Sequence, residues 1–254
     1  MPTALITGAS SGIGEVFARK LAARGYDLIL VARREDRLRA LAAKLPVKTE
    51  ILIADLAADA GITAAERAIH AHPALDLLIN NAGFGVGGLF WEADIAAQVR
   101  MHELHIVATL RLTRAALDVM IPRGRGGIIN VSSVAGFGQA ARSVSYCGTK
   151  AWINSFTEGI DTELKAVGSP LTIQALCPGF TVTEFQKTAG VDAAQVPAFL
   201  WMPADYVVAA SLRGLDRGRL YVIPNWKYKL GAFLLQYAPY GLKRRFGRPW
   251  RKED

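Results

Sequence analysis

A five-residue apolar run, Thr3–Thr7, passes through Gly8-Ala9-Ser10-Ser11-Gly12-Ile13-Gly14 into a helical pattern that continues to Ala23. Three glycines between a strand and a helix permit a tight turn and close approach of a ligand to the backbone. The free N–H groups and positive dipole end of the helix then favour a phosphate. The spacing is G-x-x-x-G-x-G rather than the commoner G-x-G-x-x-G, but its place after the first strand and before the first helix is that of a dinucleotide-binding turn.

The rest of the chain repeats the same alternation. Strand patterns at Leu28–Ala32, Thr49–Ile53, Leu75–Ile79, Gly127–Val131, Leu171–Leu176 and Leu220–Ile223 are separated by helical patterns at Glu35–Leu45, Thr63–His70, Ile95–Met120 and Ser145–Val167. Short apolar runs of this kind suit strands covered on both faces, and strand–helix alternation implies a parallel sheet with right-handed crossovers. The expected fold is α/β: one doubly wound Rossmann-type domain, a mostly parallel seven-stranded sheet with helices on both faces, with residues 224–254 as an appendage. With 254 residues and 51% hydrophobic composition the chain can bury a large core. No stretch approaches the ~18 apolar residues of a membrane span, and nothing leader-like precedes Thr3. Cys147 and Cys177 are too few for a disulfide scaffold and lack metal-type spacing, so no metal is expected, and a reducing cytoplasm is.

The second strand ends at Ala32, and Arg33-Arg34 follow. A carboxylate at such a strand end hydrogen-bonds the ribose hydroxyls of NAD, whereas an arginine suits the 2′-phosphate of NADP. Arg33, with Arg34 and Ser11 beside it, points to NADP(H); the alternative is a solvated helix entry.

Tyr146 and Lys150 stand four apart on a predicted helix and share one face. A lysine ammonium there favours the phenolate and lowers a tyrosine pKa that is about 10 when free. Tyr146 could then exchange a proton with a carbonyl or alcohol oxygen. Ser133, thirteen residues earlier at a strand end, could hydrogen-bond the same oxygen. Ser132 points the opposite way by strand alternation. Gly-x-Ser-x-Gly is absent around either serine, which excludes a hydrolase elbow.

The ordered set Thr7-Gly8…Gly12-Ile13-Gly14, Asp55-Leu56, Asn80-Asn81-Ala82-Gly83, Ser133, Tyr146-Cys147-Gly148-Thr149-Lys150 and Pro178-Gly179-Phe180-Thr181-Val182-Thr183 resembles the short-chain dehydrogenase/reductase family over residues 3 to about 223. The resemblance implies hydride transfer between a nicotinamide cofactor and a ketone, aldehyde or alcohol, with Ser133, Tyr146 and Lys150 catalytic. It implies that Asp55 meets the adenine with Leu56 nearby. Asn81, Ala82 and Gly83 line the adenine-side ribose, and Lys150 holds the nicotinamide ribose. Pro178, Gly179, Thr181 and Thr183 pass the carboxamide and pyrophosphate. For Asn80 a purely structural role is preferred. Assembly as a homodimer or homotetramer, through the helices carrying His105 and Tyr146, is also implied.

One position departs from the family. His105 stands where an asparagine usually helps hold a water that relays protons from the lysine. Three readings remain open: His105 takes over the water site, slows the relay, or is a packed core histidine.

Phe84, Phe137, Gln139, Phe185, Phe199 and Trp201 fall in loops beyond the C-terminal strand ends, which suggests an apolar substrate pocket, and Glu184–Pro203 could cover it. The net charge of +8 belongs to the C-terminus: residues 217–254 hold ten of the 30 basic residues and two of the 22 acidic ones. There Leu230, Phe233, Leu234 and Tyr237 form an apolar stripe at helical spacing. Lys227, Lys229 and Lys243-Arg244-Arg245 flank it, with Trp226, Tyr228, Tyr240, Phe246 and Trp250 interspersed. The adopted reading is that this helix covers the body of its own or a neighbouring subunit. Peripheral membrane contact and docking of an acidic carrier protein are the alternatives. Nucleic acid is not expected, since no binding fold accompanies the charge. An NADP(H)-dependent carbonyl reductase is therefore expected. A β-ketoacyl-carrier reductase and a catalytically inactive NADP-binding regulator are its rivals.

Overall fold

The computed structural model describes residues 1–185, 196–239 and 241. Seven parallel strands form the central sheet: β1 (Thr3–Thr7), β2 (Asp27–Ala32), β3 (Thr49–Ile53), β4 (Leu75–Asn80), β5 (Gly127–Val131), β6 (Thr172–Leu176) and β9 (Tyr221–Val222). Their order is β3-β2-β1-β4-β5-β6-β9. Two-residue strands β7 (Thr181–Val182) and β8 (Met202–Pro203) make a separate parallel ribbon. The mostly parallel doubly wound fold expected from the alternation is the one observed.

Strand alternation divides the core. Ala4, Ile6, Leu28, Leu30, Leu77 and Ile79 face one layer with α1 (Gly12–Ala23), α2 (Glu35–Ala42) and α7 (Ala204–Leu215). Leu5, Ile29, Val31, Leu75 and Leu78 face the other, with α3 (Asp59–Ala71), α5 (Ala108–Met120) and α6 (Val144–Ala166). Successive side chains point to opposite faces, so a strand buried on both sides must be apolar throughout.

The helix expected over Ile95–Met120 is interrupted. It consists of α4 (Ile95–His102), a π-turn over Glu103–Val107, and α5. The N–H of Ala108 reaches back five residues to the carbonyl of Glu103. A single wide turn leaves the apolar periodicity on either side nearly intact, so the pattern could not reveal it; such turns occur often at functional sites.

The C-terminal helix α8 (Trp226–Tyr237) forms, but its orientation corrects the expectation. Leu230, Phe233, Leu234 and Tyr237 are exposed. The helix meets the body of its own chain through the opposite face instead, with Tyr228, Ala232 and Leu235. Lys243, Arg244, Arg245, Tyr240, Phe246 and Trp250, and the middle of the Glu184–Pro203 connection, lie outside the described residues.

The glycine loop is held by close packing. A Cβ on Gly14 would stand 2.3 Å from the Gly8 carbonyl oxygen and 2.6 Å from Asn81 Nδ2. Gly14→Ala is therefore expected to lower stability by ~1–3 kcal/mol, the scale of an overpacked core site, in urea unfolding.

Candidate active site

The sheet order reverses between β1 and β4, and a crevice opens there at the C-terminal strand ends. A cavity of about 670 Å³ fills it. Its walls include every nominated cofactor residue from Gly8 to Thr183 except Gly14, which lies behind the loop, and they include Ser133, Tyr146 and Lys150. His105 is not on the wall.

One end is built by the glycine loop and the end of β2. Ser11 caps α1 through its backbone only, so no side chain occupies the first N–H groups of that helix. Arg34 donates to Ser10 Oγ at 3.0 Å, to Ser11 Oγ at 2.7 Å and to Glu184 at 2.9 Å. Arg37 holds the other Glu184 oxygen at 2.6 Å. These two cations pull the Glu184 carboxyl down to about 2. Arg33 lines the cavity, and among the described residues its side chain forms no hydrogen bond or ion pair. A helix N-terminus, two serine hydroxyls and an uncommitted guanidinium suit a phosphorylated dinucleotide.

Along the middle, Asn81 Nδ2 donates to the Thr7 carbonyl at 2.9 Å and so locks the loop after β4 to the end of β1. Asp55 accepts from the Ala57 N–H at 3.0 Å and from Arg100 at 2.9 Å. Burial pushes its carboxyl up, but these two donors outweigh burial and hold it low. Asn80 faces away from the crevice: it donates to Asn130 Oδ1, and Asn130 donates to Thr157 Oγ1. Its role is structural, tying β4 to β5 and α6.

Tyr146, Lys150 and Ser133 meet at the other end. Ser133 Oγ accepts from the Ala135 N–H at 3.1 Å and donates weakly to the Pro178 carbonyl at 3.4 Å. Ser132 instead donates to the Lys150 carbonyl at 2.9 Å, which commits it to α6. Lys150 Nζ donates to the Val131 carbonyl at 2.9 Å and lies 5.6 Å from the centre of the Tyr146 ring. Burial lowers its pKa to about 8.

The tyrosine differs from expectation. Burial pushes its hydroxyl up to about 12, with a hydrogen bond from Ser133 opposing the rise. Lys150 does not counter this: its ammonium is turned to the Val131 carbonyl. Within the chain alone, Tyr146 is a protonated donor at neutral pH.

His105 is 1% exposed and sits on the π-turn. Its Nδ1 is 2.9 Å from Thr149 Oγ1, and that hydroxyl donates to the Tyr146 carbonyl at 2.9 Å. With the threonine proton so used, Nδ1 must carry hydrogen and donate. Nε2 is then a buried acceptor without a partner among the described residues, where a Cβ on Gly83 would lie 2.8 Å away. Burial first, then the charge of Lys150, holds this imidazole well below its usual range and therefore neutral. The ring packs edge-on to Tyr146, centroids 6.0 Å apart.

Of the aromatics expected around a substrate, Phe84 and Phe185 line the cavity, and Phe185 is 5.8 Å from the Tyr146 ring. Phe137 packs on Tyr221, Trp201 packs on Phe180, Phe199 is exposed, and Gln139 is off the wall. Sequence reasoning missed Phe180, Leu104 and Leu235 on the wall. It also missed the anchor Tyr228, whose hydroxyl accepts from the Phe180 N–H at 3.0 Å and donates to the Leu200 carbonyl at 2.8 Å. The glycine at 179 was a usable signal, since the Tyr228 ring occupies the space a side chain there would need.

Comparison with known proteins gives the family. Residues 2–193 match the short chain dehydrogenase family. The chain belongs to that family. A short-chain dehydrogenase from Sphingobium yanoikuyae, solved in complex with NADPH, is 37% identical with a TM-score of 0.86, over 100% of this chain and 99% of that one. The bulky-bulky ketone specific alcohol dehydrogenase from Comamonas testosteroni is 31% identical with a TM-score of 0.82, over 100% and 98%. A putative ketoacyl reductase of the monensin polyketide synthase from Streptomyces virginiae is 35% identical over 188 residues, 71% of this chain and 70% of that protein. The protein is thus an oxidoreductase that uses a nicotinamide dinucleotide.

The buried lysine has a measurable signature. Its pKa is about 8 in the folded chain and near 10.5 when free, so between those values the unfolded chain binds a proton that the folded one does not. Stability from this group therefore rises with pH across the window. Relative to Lys150→Met, the wild-type protein should gain roughly 3 kcal/mol between pH 7 and pH 10.5, read from paired urea melts. A pH-independent difference would contradict a desolvated ammonium.

Proposed function

We propose that the protein interconverts an apolar ketone or aldehyde and its alcohol with NADP(H). The observation that carries this reading is a single cavity with Arg33, Ser10 and Ser11 at one end and Ser133, Tyr146 and Lys150 at the other. Bound nicotinamide would supply or accept the hydride. The chain does the rest. Tyr146 holds its proton at neutral pH and can deliver it to a carbonyl oxygen. Ser133 can turn its weakly engaged hydroxyl to the same oxygen. Lys150, fixed at the Val131 carbonyl, offers its remaining donors to the ribose side of the site. His105 holds the Tyr146 backbone through Thr149. Asp55, Leu56, Asn81, Ala82 and Gly83 form the adenosine wall, and Pro178, Gly179, Thr181 and Thr183 the opposite one.

Phe84, Phe180, Phe185 and Leu235 support an apolar substrate, in keeping with the bulky-ketone specificity of the Comamonas protein. The Streptomyces relative favours a ketoacyl thioester as the second reading. Assay of bulky aryl ketones against ketoacyl thioesters, with NADPH, separates the two. A regulator would bind cofactor and turn over neither; the assembled Ser133, Tyr146 and Lys150 argue against it. Exposed Leu110 and Ile121, on and beside α5, support self-association as a dimer or tetramer, and two buried free cysteines support a cytoplasmic location.

Two substitutions test the assignment. Tyr146→Phe should bind NADPH normally and lose ~10²–10⁴-fold in turnover at saturating substrate, the scale of general acid catalysis; a loss under tenfold, with chemistry rate-limiting, would exclude Tyr146 as the acid. Arg33→Ala should weaken NADPH by ~1.5–3 kcal/mol, as for a lost charge-assisted hydrogen bond, and leave NADH nearly unchanged in titrations of intrinsic fluorescence. Equal losses for both cofactors would place the 2′-phosphate elsewhere.

A further inference from the structure

Helix α8 is apolar on two opposite faces. Tyr228, Ala232 and Leu235 form the inner one, where Leu235 is part of the cavity wall. On the outer face Trp226, Leu230, Phe233, Leu234 and Tyr237 are between 51% and 68% exposed. With 3.6 residues per turn these five fall within an arc of about 100°, with Lys227 and Lys229 on its two shoulders. Phe199, from a neighbouring turn, is 62% exposed and extends the patch, with Lys227 Nζ 4.5 Å above its ring. A surface helix ordinarily shows a polar outer face, so an apolar one of this extent calls for an occupant.

We propose that the outer face of α8, with Phe199 beside it and Lys227 and Lys229 on its shoulders, docks on an anionic lipid bilayer. Charge selects this occupant. From Arg217 to Lys252 the sequence contains ten lysines and arginines and no aspartate or glutamate. A second copy of the chain, seated on the same face, would bring no acidic group to Lys227 and Lys229, because α8 carries none. An acidic headgroup layer instead pairs with both lysines while the apolar stripe enters the acyl boundary. Trp226 and Tyr237, at the two ends of the stripe, are residue types that prefer this boundary. The helix lies on the bilayer and does not cross it: its twelve residues span ~18 Å against a hydrocarbon core of ~30 Å. Leu235 of the cavity wall is on the same helix, so docking brings the cavity close to the lipid. The proposal does not depend on the reaction assigned above.

The test is co-sedimentation of the full-length protein with vesicles of phosphatidylcholine, with and without phosphatidylglycerol. Binding is expected only where phosphatidylglycerol is present, with release at high salt. The exposed pair Leu230→Glu and Phe233→Glu should weaken it by about tenfold or more, since the stripe supplies the apolar part of the affinity. Activity toward a water-soluble carbonyl and oligomer size should be unchanged in that variant. Replacing Lys243, Arg244 and Arg245 by glutamate should weaken binding too, and remove its salt dependence in proportion. No binding to anionic vesicles, binding that the Leu230/Phe233 variant retains, or a change of oligomer size in that variant would each overturn the proposal, the last by making the stripe an interface between copies.

Discussion

The hydroxyl of Thr7 lies where the sheet divides, and the crevice depends on it. It donates to the Ile79 carbonyl at 3.2 Å and accepts from the N–H groups of Asn81 at 2.9 Å and Ala82 at 3.0 Å. β1 and β4 part at this point because their crossovers leave to opposite sides. A buried hydroxyl that joins both strand ends keeps the parting narrow and satisfies backbone donors that have left the ladder. The glycine loop on one side and the Asn81–Gly83 turn on the other are then held against each other, with Asn81 Nδ2 bonded across the gap. Both walls of the cofactor cavity start from this contact.

Burial sets the chemistry further along. Tyr146, Lys150 and His105 are held by hydrogen bonds to backbone or to a threonine rather than to opposite charges. Desolvation therefore dominates: it raises the tyrosine against the hydrogen bond from Ser133, lowers the lysine and keeps the histidine neutral. In the chain by itself the phenol of Tyr146 keeps its proton at neutral pH and no standing phenolate forms. His105 is linked through Thr149 to the carbonyl of Tyr146, on the turn of α6 that carries the phenol.

Helix α8 completes the molecule from outside. Tyr228 pins it to the Phe180 amide and the Leu200 carbonyl, and Leu235 closes part of the wall. The remaining apolar face follows from the same segment having to pack on one side while staying apolar on the other.

Local chemistry made the strands, the glycine turn and the pairing of Tyr146 with Lys150 legible in the sequence, while Ser133 joined that pair through the family resemblance. Each rests on short-range rules: a period of two for buried strands, a spacing of four for one helix face, and glycine before a helix N-terminus. The π-turn at Glu103–Val107 stayed hidden because one wide turn barely disturbs an apolar pattern. The direction of the Tyr146 shift stayed hidden because adjacency to Lys150 in sequence says nothing of where Nζ is bonded or how deeply both groups are buried. Likewise the stripe in α8 was visible as a stripe, but not the side on which it would lie. Which apolar face a helix buries is decided by what the rest of the fold presents to it, here the Phe180 amide and the Leu200 carbonyl waiting for the hydroxyl of Tyr228. The sequence by itself determined the elements and the kind of chemistry. Tertiary structure alone decided burial, partners and facing, because desolvation and packing are properties of distant residues brought together.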